Sequence, residues 1–375
     1  MKSIKKKIFI IGSLPPPYIG PYIAMENLIT NGNIKDYFDI YFMDISDNRN
    51  SENIGKLDLI NIYMAFKHIG KFILSILFYN PAIVYFNISQ GIWGYMRDLG
   101  FLIPSIFLRK KVVLHLRGSE FREFYLGMSP ILKGLTKFTF KRVSRIIVLG
   151  NKIKTIFNDL IEIDNIRVVP NGIDYEQFDL DHGNELRLTD KCSKILFLSS
   201  LRKRKGIFEF LQSIPFILKR HPEAKITIAG EWRSDNERLD AEHFISKNHL
   251  SDSVKFIGQV TGTEKIRLYL SHDIFVFTPV QPEGLPWVIL EAMSASIPVV
   301  YTDQGVISEV AVNSETGLVV DPNPEDICKK VCFLIENPKI AKEMGKNGRK
   351  RVENMFSEKQ YFHGLIETLK EVANS

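Results

Sequence analysis

The chain has 375 residues, 45% of them hydrophobic and 25% charged, with a formal net charge of +6. That length exceeds one typical domain and makes two the natural expectation, while the balance excludes an intrinsically disordered chain. The mild positive charge suits anionic partners such as phosphates, nucleotides or an acidic lipid surface. Without a zinc-finger, recognition-helix or aromatic-strand signature, it does not argue for nucleic acid.

From the N-terminus, Met1 to Lys7 is basic and Ile8 to Ile11 apolar, and then Gly12 and three prolines follow. The apolar stretch is too short for a signal-peptide core and reads as a first buried strand. Further strands are predicted at Ile40–Asp44, Ile83–Asn87, Val112–Leu116, Ile146–Leu149 and Arg167–Val169. Between them, Ile62 to Tyr79 sets Phe66, Ile69, Phe72, Ile73, Ile76 and Leu77 beside Lys67, His68 and Lys71. Leu99–Leu108 similarly runs into Arg109, Lys110 and Lys111. Each fits an amphipathic helix at a membrane interface or a helix buried in the first domain with a charged end. No uninterrupted apolar run approaches the roughly 20 residues that span a bilayer, so the chain is expected to be soluble or peripheral.

The second series of strands is Ile195–Ser199, Lys225–Ala229, Val254–Ile257, Ile274–Thr278, Pro298–Tyr301 and Gly317–Val320. Most of these runs are continuously apolar, the pattern of strands buried on both faces of a parallel sheet. Alternation with helical segments implies right-handed crossovers and so doubly wound α/β domains. The two series are separated by a polar stretch. The expected organisation is residues 1–172, a linker at 173–189, a second domain at 190–350, and a C-terminal helix in 351–375 packing back on the first domain. Within that last segment, Tyr361, Leu365, Ile366 and Leu369 share one side of a helix. Ligands bind open α/β sheets at the carboxyl edge of the strands, which places the expected active site in a cleft between the domains.

Three cysteines suggest a reducing cytosol. Cys328 and Cys332 lie four apart in a helical pattern, either a redox or metal pair or, more in keeping with such spacing, two small core residues.

Chemistry concentrates at two turns. In Pro282-Glu-Gly-Leu-Pro-Trp-Val-Ile-Leu-Glu291, Pro286 suits the first turn of a helix and Gly284 allows close backbone approach. Such a helix N-terminus suits a diphosphate, while Glu283 and Glu291 are better acceptors for sugar hydroxyls than for phosphate. Alternatively they are a capping and a solvated glutamate. The turn Leu198-Ser-Ser-Leu-Arg-Lys-Arg-Lys205-Gly206 carries consecutive cations at Arg202 to Lys205. One of them is expected to meet a leaving diphosphate, the others to be a solvated basic turn.

The Glu-x7-Glu element, the "SLRKRKG" turn, "VVPNGID" at 168–174 and the opening "GSLPPPYIGP" together resemble the retaining glycosyltransferase family four. The resemblance spans nearly the whole chain in the same order. It implies the GT-B architecture, two Rossmann-like doubly wound domains facing across a cleft, with a nucleotide-sugar as substrate and neither cofactor nor metal. By resemblance, Lys205 holds the donor diphosphate and Glu291 the ribose, while Glu283 and the backbone at Gly284 and Leu285 hold the transferred sugar. Gly20, Ser200 and Arg202 stand at the remaining donor positions. His115 falls where the family places a polar residue beside the sugar, with Arg117 as its rival. On this resemblance Glu283, Lys205 and His115 form the catalytic set.

Several positions depart from the family. Its early Gly-Gly is Gly20-Pro21, its arginine five residues before the lysine is Ser200, the glycine after the Glu-x7-Glu helix is Ser296, and a later Gly-Gly is Gly305-Val306. Asp179-Leu-Asp181 has metal-binding spacing, but it falls in the polar linker and reads as loop chemistry. The expected function is transfer of a hexose-type sugar from a UDP- or GDP-linked donor. The acceptor would be a saccharide or lipid-linked saccharide in bacterial surface polysaccharide synthesis, at the inner membrane face. The rivals are a degenerate binding subunit and a nucleotide-sugar epimerase on the same fold. A dehydrogenase is disfavoured, because the first strand leads to prolines rather than Gly-x-Gly-x-x-Gly.

Overall fold

In the computed structural model the apolar runs form two parallel six-stranded sheets. The residues described are 5–16, 19–47, 59–179 and 193–375. Cys192 and Asp181 fall outside them, as does most of the expected linker. The chain divides into one unit of Met1–Pro170 with Tyr361–Ser375 and another of Asn171–Gln360.

The N-terminal unit contains β1 (Lys6–Gly12), α1 (Gly20–Thr30), α2 (Gly32–Tyr37), β2 (Phe38–Asp44), α3 (Leu59–Tyr79) and β3 (Ile83–Asn87). It continues with α4 (Ile92–Phe107), β4 (Lys111–His115), α5 (Phe121–Leu126), α6 (Pro130–Phe140), β5 (Arg145–Val148) and β6 (Ile166–Val168). The strand order is β2-β1-β3-β4-β5-β6. This is the flavodoxin-like arrangement extended by one strand rather than the Rossmann order, and its topological switch point lies between β1 and β3.

The C-terminal unit contains β7 (Lys194–Leu198), α7 (Ile207–Arg220), β8 (Lys225–Ala229), α8 (Asp235–Lys247), β9 (Val254–Phe256) and α9 (Gly262–Leu270). It continues with β10 (Ile274–Phe277), α10 (Trp287–Ser294), β11 (Val299–Thr302), α11 (Ile307–Val310), β12 (Gly317–Val320), α12 (Pro324–Glu336) and α13 (Pro338–Met355). Its order, β12-β11-β10-β7-β8-β9, is the full Rossmann order, with the switch point between β7 and β10.

Every strand expected from the sequence is present, displaced at its ends by no more than two residues. The reason is burial. Ile8, Ile10 and Ile11 in β1, like Ile274, Phe275 and Val276 in β10, are wholly sequestered, so both faces of each strand demand apolar residues.

The C-terminal helix expected within residues 351–375 is present, following the end of a longer helix. Helix α13 continues to Met355, and α14 (Glu358–Asn374) begins after a break. At the break Ile173 N–H donates to the Phe356 carbonyl (2.9 Å) and Glu358 N–H to the Ile173 carbonyl (3.0 Å), a strand-like pairing that withdraws these groups from helical bonding. Beyond it, Tyr361, Leu365, Ile366 and Leu369 pack with Ile8, Ile10 and Tyr85 in the core of the N-terminal unit. Cys328 and Cys332 lie in the other core, their sulfurs 3.7 Å apart on α12. Burial pushes the Cys332 thiol up to about 12, which suits packing better than redox chemistry.

Helix α3 has a mixed character. Phe72 and Ile76 are buried, yet Leu59, Tyr63, Phe66, Leu74 and Phe78 are largely exposed. By length and composition α3 is apolar enough to cross a membrane, a property the interruption at Lys67 and Lys71 concealed in the sequence.

Candidate donor and acceptor sites

In the C-terminal unit, β7 and β10 are hydrogen-bonded neighbours, so the turns that follow them emerge side by side at the switch point. After β7 the chain makes a tight 3-10 turn over Lys203–Lys205 and reaches Gly206, with φ of 78°. A Cβ at Gly206 would lie 1.7 Å from the Thr278 carbonyl oxygen, so only glycine lets the two turns approach this closely. Val280 N–H donates to the Arg204 carbonyl at 3.1 Å and ties the turns together.

This approach brings Lys205 Nζ to 2.6 Å from Glu283 Oε1, with Arg204 at 4.0 Å from the same oxygen. Glu283 is buried beside Gly284 and Leu285, just ahead of α10. Pro286 occupies the N-cap rather than the first turn of that helix, and no side chain caps the helix start. The main chain of Glu283 is held from the other side by Gly305, whose φ is 66°. A Cβ there would meet the Glu283 carbonyl oxygen at 1.9 Å. Val306 N–H donates to that carbonyl at 3.3 Å, so the departure from a second glycine leaves the main-chain contact in place. Ser296 has φ of 56°, the left-handed conformation that explains a family preference for glycine there.

Glu291, five residues into α10, is buried and fixed by α9. Lys265 Nζ lies 2.5 Å from Oε1, and the Tyr269 hydroxyl donates to Oε2 at 2.9 Å. Burial, then the adjacent carboxylate, raises the Tyr269 hydroxyl well above its ordinary value, so it remains a donor. Asn171, from the "VVPNGID" segment, donates to the Leu285 carbonyl at 2.8 Å and braces the same loop.

Of the donor positions read from the sequence, Lys205 and Glu283 thus meet, with Gly284 and Leu285 next in the chain and Glu291 in the helix that follows. Ser200 is half-buried after β7, and Arg202 is exposed at the start of the turn. The cation set beside Lys205 is Arg204, two residues on. Sequence reasoning also missed Lys265 and Tyr269, although their four-residue spacing on one helix was a readable signal. Asp179 is engaged by Arg349 at 2.7 Å, in keeping with a loop contact.

In the N-terminal unit, Gly20 opens α1, with Pro21 in its first turn and no side-chain cap. His115, the last residue of β4, is fully buried, and its Nδ1 lies 2.7 Å from the Tyr85 hydroxyl. Burial, then the Arg117 charge, holds its pKa well below the ordinary histidine value, so the ring is neutral at pH 7. Arg117 donates to the Tyr361 hydroxyl at 2.8 Å. It also lines a cavity of about 1000 Å³ whose floor includes Gly12 and Asn87, the ends of β1 and β3. That is the switch point of the first sheet. His115 itself stands behind the lining.

Two parallel doubly wound sheets, the second with a basic turn and a helix N-terminus at its switch point, define the GT-B class. Residues 181–351 match the family model for glycosyl transferases group 1. The C-terminal unit is thus similar to group 1 glycosyl transferases, and the fold of the whole chain is that of the GT-B architecture. Among curated proteins it is similar to the capsular polysaccharide biosynthesis glycosyltransferase CapM of Staphylococcus aureus, 30% identical over 219 residues. The match covers 55% of this chain and 55% of CapM, so the chain spans about half the length of that relative. In structure it is similar to sucrose-phosphate synthase from Thermosynechococcus elongatus (TM-score 0.75, 17% identity, 99% of this chain and 100% of that one). It is likewise similar to Anabaena HepE in complex with UDP (TM-score 0.74, 18% identity, 98% of this chain and 100% of that one).

Proposed function

We propose that the chain is a retaining hexosyltransferase of family four type, taking a UDP- or GDP-linked sugar as donor and a saccharide or lipid-linked saccharide as acceptor. The observation that carries this reading is the Lys205–Glu283 pair beneath the N-terminus of α10. A donor diphosphate placed there competes for Lys205 and takes the field of the helix end, which frees Glu283 to accept from a sugar hydroxyl. Lys205 and Arg204 then face the negative charge that builds on the departing nucleotide, the largest contribution expected in such a step. Lysine and helix N-terminus take the place of a metal ion, and the acceptor hydroxyl gives its proton to the leaving phosphate. Glu291, aimed by Lys265 and Tyr269, is the ribose acceptor.

The acceptor belongs to the N-terminal unit, near Gly20 and Arg117, with His115 acting from behind as a neutral ring. Similarity to a capsular polysaccharide enzyme supports a place in surface glycan synthesis. The exposed apolar face of α3, with Lys67 and Lys71, supports peripheral contact with an anionic cytoplasmic leaflet. The test is a thermal-shift screen against UDP, GDP, ADP and their sugar conjugates without added metal. A ligand at a hundred times its dissociation constant stabilises by about 2.7 kcal/mol. Stabilisation by one base supports the reading and names the assay; silence with all of them overturns it. Binding without turnover points instead to a subunit that has kept the fold and lost catalysis.

A further inference from the structure

The cavity of the N-terminal unit has a composition that a bare saccharide does not explain. Between the first turns of α3 and α4 its wall is built from Ile62, Phe66, Ile92, Trp93 and Met96. These five are left 37–72% exposed, although each is large and apolar. Sugars present a hydroxyl at nearly every carbon and need matching polar groups, whereas this wall offers few. An apolar chain laid along it removes five large side chains from water at once.

The rest of the lining is of a different kind. Arg97 and Arg117 both reach it, together with Ser13 and Asn87 at the ends of β1 and β3. Gly91, the N-cap of α4, lines the cavity too and supplies no side-chain cap, so that helix end faces the same space. Asp98, the buried carboxylate in the wall, is already satisfied by Ser89 N–H at 2.8 Å and Arg97 at 3.0 Å. Lys67 and Lys71 flank His68 on α3, and His68 lines the cavity with Arg97, so two further cations stand close to it in the chain.

We propose that this cavity holds an amphiphilic acceptor, an apolar chain against Ile62, Phe66, Ile92, Trp93 and Met96 and a phosphate or diphosphate head beside Arg97 and Arg117. The inference rests on the transferase reading and narrows its acceptor to a lipid-linked phosphate. It gives the exposed apolar wall an occupant, and it sets the phosphate at the switch point of the first sheet, where α/β ligands gather.

The experiment is isothermal titration of the full-length protein with dodecyl phosphate, inorganic phosphate and dodecyl maltoside, each below micelle formation. Dodecyl phosphate is expected to bind saturably with one site, and the other two at least tenfold more weakly, because each lacks one half of the recognised chemistry. Phe66→Asp and Met96→Asp should each weaken dodecyl phosphate at least tenfold. Both side chains are substantially exposed, so the variants are expected to fold, and melting temperatures check this. The stabilisation by nucleotide, which belongs to the other unit, should be unchanged in both.

Absence of saturable binding, or equal affinity in wild type and both variants, overturns the proposal. Dodecyl maltoside binding as tightly as dodecyl phosphate overturns the anionic head. Nucleotide binding with no amphiphile binding leaves the transferase standing without this acceptor. Amphiphile binding with no nucleotide binding supports the cavity while overturning the transferase.

Discussion

Lys205 and Glu283 are 78 residues apart in the chain, yet Nζ and Oε1 meet at 2.6 Å with both side chains mostly buried. The contact exists because β7 and β10 are sheet neighbours and because Gly206 lets the turn after one pass directly over the end of the other. The pair neutralises itself, and on the proposed function a bound donor divides it, the cation to phosphate and the carboxylate to a sugar hydroxyl. Lys205→Ala and Glu283→Gln are each expected to lower transfer by about 10²–10³, the range for removal of one transition-state electrostatic partner. In Lys205→Ala, Arg204 remains 4.0 Å from Glu283 and limits the loss of stability. Steady-state kinetics beside melting curves decide this. Wild-type turnover in either variant removes the assignment.

The placement of Glu283 depends on Gly305. Gly305→Ala introduces a Cβ 1.9 Å from the Glu283 carbonyl oxygen, which must move. At least a tenfold loss of transfer is expected, with a lower melting temperature. Gly258→Ala is the matching control, since Gly258 also has a positive φ of 74° but nothing within 4 Å of the added carbon. It should bear only the conformational strain, about 1–2 kcal/mol, and keep its activity. A Gly305→Ala enzyme that matches the control in both respects shows that Glu283 does not need this support.

Glu291 is fixed by two groups on α9 rather than left to solvent. Lys265→Met keeps the length of the side chain and removes the charge that aims the carboxylate. Loss of a charged hydrogen-bond partner is worth about 1.5–3 kcal/mol, so nucleotide affinity should fall at least tenfold in both Lys265→Met and Glu291→Gln. Titration with the nucleotide selected by thermal shift measures it. Unchanged affinity in both variants means that Glu291 does not meet the ribose.

Much of this arrangement was legible in the sequence, for a physical reason. Strands sequestered on both faces must be apolar throughout, so Ile83–Asn87 and Gly317–Val320 announce themselves without any alternation, as does the helical stripe of Tyr361, Leu365 and Leu369. The turn residues at Gly206 and Glu283 were equally plain, because a basic or acidic cluster directly after an apolar run has few places to go. Direction was not legible. Arg202 and Arg204 are equivalent in a list of cations, and only the 3-10 geometry turns Arg204 toward Glu283 and leaves Arg202 exposed. The strand order of the first sheet was hidden as well, since the order depends on which side each crossover returns. The exposure of Phe66 and Phe78 was hidden because a buried helix and an interfacial one share a pattern.

The burial of His115 fixes how stability should respond to pH. In the folded chain the ring is held neutral, its pKa well below the ordinary value because it is sequestered and faces the Arg117 charge. In the unfolded chain it titrates near 6.5. Between those two values the unfolded state binds the proton and the folded state does not, so stability rises with pH. The contribution is therefore complete above about pH 6.5 and is lost as pH falls below it, by at most about 1.4 kcal/mol per pH unit. His68, half-buried and also lowered, adds a smaller slope of the same sign. Glu358, whose carboxyl is raised by burial and then by Asp174, acts in the opposite sense but in the carboxylate range. Chemical denaturation from pH 8 to pH 5.5 separates these contributions. His115→Gln, which retains a polar partner for Tyr85, should flatten most of the slope, and His68→Gln should flatten less. Identical slopes in wild type and His115→Gln would mean that the ring takes up its proton as readily in the folded protein as in the unfolded one, and so becomes charged there as pH falls. It would then be a cation beside Arg117, at odds with the neutral role assigned to it behind the cavity.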